Sequence, residues 1–149
     1  MNKIFLIFVF FSFIGFSQQD SKDLSWLQDF EKARLKAKNN KKPILMYFSG
    51  SDWCSPCKML KEDFFDNEKF KKYEKDFTLV LVDIPRSSDI LTDEQRVQNY
   101  ELLDQYNEGK SFPLVVILSS KGKVLDKISG YSSLRDPSFH FQLLDKFTK

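Results

Sequence analysis

The residues whose types and spacing point most directly to chemistry are Cys54 and Cys57, the only two cysteines in the sequence. They stand two residues apart in Trp53-Cys54-Ser55-Pro56-Cys57-Lys58. This segment joins a continuous apolar run, Ile44 to Phe48, to apolar positions Met59, Leu60 and Phe64 at helical spacing. A cysteine at such a strand-to-helix junction sits where unpaired backbone N–H groups and the helix dipole favour a thiolate. Cys54 is therefore expected to be the exposed, attacking sulfur. Cys57, one turn inward, can attack the mixed disulfide formed on Cys54, which releases a reduced substrate and leaves the pair oxidised. Pro56 falls in the first helical turn, where its missing N–H costs nothing.

Other uses of the pair are weaker. A bridge closing so short a loop removes little entropy from the unfolded chain, so stabilisation is a poor reason for it. Tetrahedral zinc needs four ligands, and the single histidine, His140, is far away in the last helical pattern, where it reads as a helix-face residue. No metal is expected.

The elements that must position the pair follow from periodicity. Apolar positions Trp26, Leu27, Phe30, Ala33 and Ala37 predict a helix from Ser25, with Ser25 and Gln28 as a capping box, ending near Asn39 and Asn40. Ile44 to Phe48 reads as a central strand buried on both faces. The helix begun at Cys54 is expected to bend or restart around Asp66 and Asn67 before Phe70 and Tyr73. Phe77 to Ile84 is a second buried strand. Asp93 is positioned to cap a helix with inner face Val97, Tyr100, Leu103 and Tyr106 and a stop at Gly109. Strands Pro113 to Leu118 and Val124 to Ile128 form a hairpin across Lys121-Gly122-Lys123. Asp136 and Pro137 then open a last helix burying Phe139, Leu143, Leu144 and Phe147. The order α, β, α, β, α, β, β, α implies an α/β fold: a mixed central sheet with helices on both faces.

The strand Ile44 to Phe48, the Trp53 to Lys58 motif, the Phe112-Pro113 pair before a strand and Gly130 after the last strand together resemble the thioredoxin superfamily. The string Ser49-Gly50-Ser51-Asp52-Trp53-Cys54 is similar to its exported bacterial branch. The resemblance implies a thioredoxin fold over residues 18–149. It assigns Pro113 as the family's cis-proline, with the Phe112 backbone free to pair with an extended substrate, and Trp53 as a partly exposed contact surface; Trp26 is assigned to the core. Where housekeeping members carry a buried acid that helps deprotonate the inner cysteine, this sequence has Tyr47. Asp83, Glu62 and bulk water are the groups left for that task. Phe112 is bulkier than the small or branched residue common before the cis-proline. Ser55-Pro56 resembles the reducing members rather than the strong oxidants, which tend to carry histidine between the cysteines.

Composition limits the alternatives. The chain has 149 residues, 42% apolar and 30% charged, which is one globular domain. With 23 basic against 21 acidic side chains, the charge of +2 gives no field for nucleic acid. The lysines of 36–42 and 69–75 are interleaved with Asn, Glu or Asp and read as solvated faces. At the N-terminus, Lys3, the apolar stretch Ile4 to Phe16, and the small residues Gly15 and Ser17 match a secretory signal peptide, residues 1–17, cleaved before Gln18. The stretch is shorter than the roughly 20 residues of a membrane-spanning helix. The expected product is a periplasmic, monomeric thiol-disulfide oxidoreductase acting on protein disulfides without an organic cofactor. A membrane electron donor is expected to recharge it. The competing readings are a thioredoxin-fold binding module without redox turnover and a thiol peroxidase; the latter lacks a separate peroxidatic cysteine.

Overall fold

Alternation of apolar side chains along the strands decides the architecture. The computed structural model describes residues 24–148; the expected signal peptide lies outside them. In chain order the elements are α1 (Phe30–Asn40), β1 (Ile44–Ser49), α2 (Ser55–Leu60) running into a π-helical turn (Lys61–Phe65), α3 (Glu68–Glu74), β2 (Thr78–Asp83), α4 (Asp93–Tyr106), β3 (Leu114–Leu118), β4 (Val124–Ser129) and α5 (Ser138–Asp145). The sheet order is β2-β1-β3-β4, with β1 parallel to β2 and the other two pairings antiparallel.

Successive strand residues point to opposite faces, and each face is covered. Ile44, Met46 and Phe48 of β1 pack with Val80, Val82, Leu114 and Val116 under α1 and α4. Leu45 and Tyr47 pack with Leu79, Val115 and Ile117 on the other face, under Leu60, Phe64, Phe65, Phe70 and the apolar side of α5. The mixed sheet with helices on both faces is the expected arrangement. Strand β4 is the partly exposed edge, with Val124 and Leu125 both open to solvent.

Three details differ from the sequence reading, and the expected restart at Asp66 and Asn67 is present in a particular form. First, the capping box at Ser25 and Gln28 does not form. Helix α1 starts at Phe30 with Asp29 as its cap, the Asp29 carboxylate accepting from the Lys32 backbone N–H at 3.0 Å. That bond holds the Asp29 carboxyl below the usual range. Residues 24–28 are drawn instead to the open edge of β2, where the Leu27 N–H donates to the Leu79 carbonyl (2.9 Å) and the Leu81 N–H to the Leu27 carbonyl (3.0 Å). Their apolar side chains accordingly alternate with period two: Leu24 and Trp26 join one core and Leu27 the other.

The bend after α2 is a π-helical turn in which the Asp66 N–H donates to the Lys61 carbonyl (2.8 Å). The widened turn lets the adjacent Phe64 and Phe65 both enter the core. Asn67 then caps α3.

Second, α4 is capped one residue earlier than expected, by Thr92 in a capping box with Gln95, and ends at Tyr106, before Gly109. It turns Asn99, Leu102, Leu103 and Tyr106 inward and leaves Val97 and Tyr100 exposed. Polar anchors set that rotation: Asn99 Nδ2 donates to the Asp83 carbonyl (2.8 Å), and Gln98 Nε2 to the Gln28 carbonyl (2.7 Å).

Third, α5 buries His140, Phe141, Leu143 and Leu144, whereas Phe139 is exposed and Pro137 takes the cap position. His140 is thus not a surface residue. It is 4% exposed, lies against the Phe64 and Tyr131 rings at 5.4 and 5.6 Å, and neither of its ring nitrogens has a partner. The neighbouring loop is tied to the π-helical turn by Arg135, which donates to Asp63 and Glu62.

Burial pushes the His140 pKa down to about 4 from an ordinary 6.5. A depressed pKa means that the unfolded chain binds the proton more readily, so stability from the neutral ring is complete above about pH 6.5 and is lost as pH falls toward 4. The loss is at most about 3 kcal/mol. Urea unfolding between these pH values should therefore show His140→Phe losing less stability than the parent chain; parallel pH dependences would refute the assignment.

Candidate active site

The site is built at the C-terminal end of β1, where the chain leaves the sheet at Ser49 and turns into α2. Cys54 caps α2 and its Sγ accepts the Cys57 N–H at 3.2 Å, so the helix terminus is aimed at the first sulfur. The two cysteines are joined as a disulfide, with Cα atoms 5.3 Å apart. Both are buried, Cys54 at 3% and Cys57 at 1% exposure. The expectation that Cys54 stands exposed therefore needs correction. Trp53 and Phe112 meet edge to face at 5.2 Å and pack on the cluster that contains both cysteines.

The loop before Cys54 is held by three tethers. Asp83, at the end of β2, accepts the Ser51 N–H (2.8 Å) and the Ser51 hydroxyl (2.6 Å). Asp52 accepts the N–H groups of Arg86 and Ser87 at 2.9 to 3.1 Å; these bonds, the Ser87 one foremost, hold its carboxyl below the usual range. Trp53 Nε1 donates to the Ile84 carbonyl at 2.8 Å, and the Arg86 guanidinium lies 5.0 Å from the Trp53 ring centre. The ring also covers Gly50 so closely that a Cβ there would sit 2.3 Å from Trp53 Cε2. Only glycine leaves room for that side chain.

On the opposite side, the Phe112-Pro113 peptide bond is cis. Pro113 is buried at the start of β3, and its carbonyl accepts the Gly130 N–H (2.8 Å), Gly130 having φ of +80°. Ser55 is exposed and Pro56 lies in the first turn of α2, so the two residues between the cysteines carry no charge. The structure thus gathers Trp53, Cys54, Ser55, Pro56, Cys57, Phe112 and Pro113 at one end of the sheet.

Behind Cys57 stands Tyr47, whose hydroxyl donates to the Cys57 carbonyl at 3.0 Å. Burial pushes its pKa up to about 12. A cavity of about 220 Å³ opens here, bounded by Tyr47, Cys57 and Asp83. Trp26, assigned to core packing, is only partly buried and forms another part of its wall. Glu62 is elsewhere, paired with Arg135 at 2.8 Å on the surface. Arg86 and the paired roles of Asp52 and Asp83 as loop tethers escape a reading of the sequence. The available signal was only that polar residues follow β2 immediately. Among the described residues no cluster of His, Cys, Asp and Glu is arranged to hold a metal ion.

Comparison with known proteins agrees with this geometry. The chain is 32% identical over 107 residues to the disulfide bond reductase DsbH of Chlamydia pneumoniae, a match covering 71% of this chain and 63% of that protein. It is 30% identical over 112 residues to the thiol:disulfide interchange protein DsbD of Campylobacter jejuni, covering 74% of this chain but 18% of that protein. The matched region is therefore less than two thirds of either relative. Among solved structures, a DsbH oxidoreductase superposes with a TM-score of 0.70 at 27% identity, covering 85% of this chain and 87% of that one. A poplar thioredoxin h shares the fold, with a TM-score of 0.54 at 17% identity over 83% of this chain and 96% of that one. The thioredoxin-like family model matches residues 25–120, which takes in the sheet through β3, the cysteine pair and the cis-proline, and the chain belongs to that family.

Proposed function

We propose that this chain is an exported thiol-disulfide oxidoreductase that reduces protein disulfides through Cys54 and Cys57. The observation that carries the reading is the cysteine pair at the start of α2, with the Cys57 N–H directed at Cys54 Sγ beside the Phe112-Pro113 turn. As the dithiol, Cys54 attacks a substrate disulfide and Cys57 resolves the mixed disulfide. Trp53 and Phe112 are the side chains placed to meet the substrate. An extended peptide is expected to pair with the Phe112 backbone. Because Cys54 is 3% exposed, surrounding side chains must move for a disulfide to reach it.

The reducing direction rests on what stabilises each state. A strong oxidant needs its reduced thiolate held far below the ordinary thiol range. Here Ser55 and Pro56 supply no cation, and the exposed Lys58 adds little in water. The relative named a disulfide bond reductase supports the same direction. A reductant in an oxidising compartment must be recharged, which implies a membrane electron donor.

Insulin reduction by dithiothreitol should be accelerated by the protein; no acceleration would favour a binding module. Cys54→Ser should abolish exchange, whereas Cys57→Ser should accumulate a covalent mixed disulfide visible by non-reducing electrophoresis. Trapping by Cys54→Ser alone would reverse the two roles.

Equilibration in glutathione buffers, followed by Trp53 fluorescence, should place the couple nearer the thioredoxin value of about −270 mV than the oxidant value of about −120 mV. A potential above about −150 mV would make it an oxidant. For export, mass spectrometry of protein from the native host should find a chain beginning at or near Gln18, and an intact Met1 segment would argue against it.

A further inference from the structure

Resolution of a mixed disulfide requires Cys57 as a thiolate, and at 1% exposure this sulfur is shut off from bulk solvent. The cavity beside it is the available route for its proton. At about 220 Å³ it has room for several waters, each taking about 30 Å³. Trp26, Phe65 and Leu81 supply its apolar walls.

The ionisable and charged groups facing the cavity come from four elements. From β1 comes Tyr47, whose proton is committed to the Cys57 carbonyl and whose pKa is pushed up to about 12, so it does not serve as a base. From α2 comes Lys58, and from the π-helical turn Lys61; both are cations. Asp66, which follows that turn, is exposed and paired with Lys61 at 2.7 Å. From β2 comes Asp83, 7% exposed, whose charge is felt at Tyr47. Its two oxygens accept from Ser51, which uses only part of a carboxylate's roughly four acceptor positions.

We propose that Asp83 is the proton acceptor for Cys57, acting through water held in this cavity. The proposal rests on the oxidoreductase reading above and identifies which group serves its second step. The Cys57 S–H bond breaks and the proton passes through water to an Asp83 oxygen. The thiolate attacks Cys54 Sγ, forming the Cys54–Cys57 bond as the bond from Cys54 to the substrate sulfur breaks. That sulfur leaves with the electron pair as a thiolate. The proton returns through the cavity to solvent, which protonates the leaving group. The protein dithiol is oxidised by two electrons and the substrate disulfide is reduced by two.

Because Asp83 also tethers Ser51, the test must separate proton transfer from loop positioning. Reduced protein is mixed with a model peptide disulfide and the resolution rate is followed by quenched flow across pH. Iodoacetamide alkylation of Cys54 reports the first sulfur separately. Asp83→Asn is expected to slow resolution about tenfold or more near about pH 6. The deficit should shrink as pH rises beyond the ordinary thiol value of about 8.5, as hydroxide takes over the removal of the buried thiol's proton. Ser51→Ala, which removes one tether but keeps the carboxylate, should keep the parent pH profile. An equal slowing at every pH, no slowing at all, or a pH-dependent loss in Asp66→Asn instead would each overturn the assignment.

A measurement on the unaltered chain stands beside these variants. The Asp83 carboxyl carbon, followed by NMR, should titrate differently in the disulfide and dithiol states, and identical titrations would overturn the proposal. Parent protein that resolves no mixed disulfide would overturn the oxidoreductase reading itself; parent resolution with a pH-independent Asp83→Asn effect overturns only the role of Asp83.

Discussion

Strand β1 is hydrogen-bonded along both edges and buried on both faces, and the rest of the molecule is arranged around that constraint. Its parallel register with β2 sets Ser49 opposite Asp83, and its antiparallel register with β3 sets Phe48 opposite Leu114. The loop leaving β1, the carboxylate ending β2 and the turn preceding β3 therefore converge at one end of the sheet. A slip of one residue in either pairing would exchange the two faces of β1 and separate the cysteine loop from both neighbours.

Around that end, short polar contacts do what the apolar core cannot. Apolar burial is non-directional, whereas the bonds from Ser51 to Asp83, from Arg86 and Ser87 to Asp52, and from Trp53 to the Ile84 carbonyl each fix one atom. Asn99 extends the same network to α4 through the Asp83 carbonyl. The rotation of α4 and the position of the cysteine loop thus share an anchor. This also explains why an amphipathic reading of α4 by apolar residues alone selects Val97 and Tyr100, which the structure leaves exposed.

Most of the fold was legible in the sequence because period-two and period-3.6 patterns are strong in β1, β2 and β3 and in much of the helical chain. The cysteine pair and its strand-to-helix setting were legible for the same reason. What escaped depends on partners distant in sequence. Ser25 to Gln28 has the local chemistry of a helix start, but the unpaired edge of β2, more than fifty residues away, recruits the segment into extended form. Phe139 and His140 are adjacent on α5 with opposite fates, decided by the pocket between Phe64 and Tyr131. The Trp53 ring beside the cysteines meets a phenylalanine more than fifty residues further along, a contact that spacing around the cysteines does not register.

The recruited segment has a consequence for the molecule's solubility. An open β2 edge would present unpaired amide and carbonyl groups beside Leu79 and Leu81, a template for pairing with another chain. A single bridge at Leu27 occupies that edge, while β4 at the other side carries Lys127, follows Lys123 and has a register shift at its start, opposite Ile117 and Leu118. Protection against self-association is therefore asymmetric: charge and irregularity guard one margin, and a few residues of main chain guard the other. Proteolytic trimming past Leu27 would spare the cysteines and their loop, yet uncover an adhesive border along the sheet.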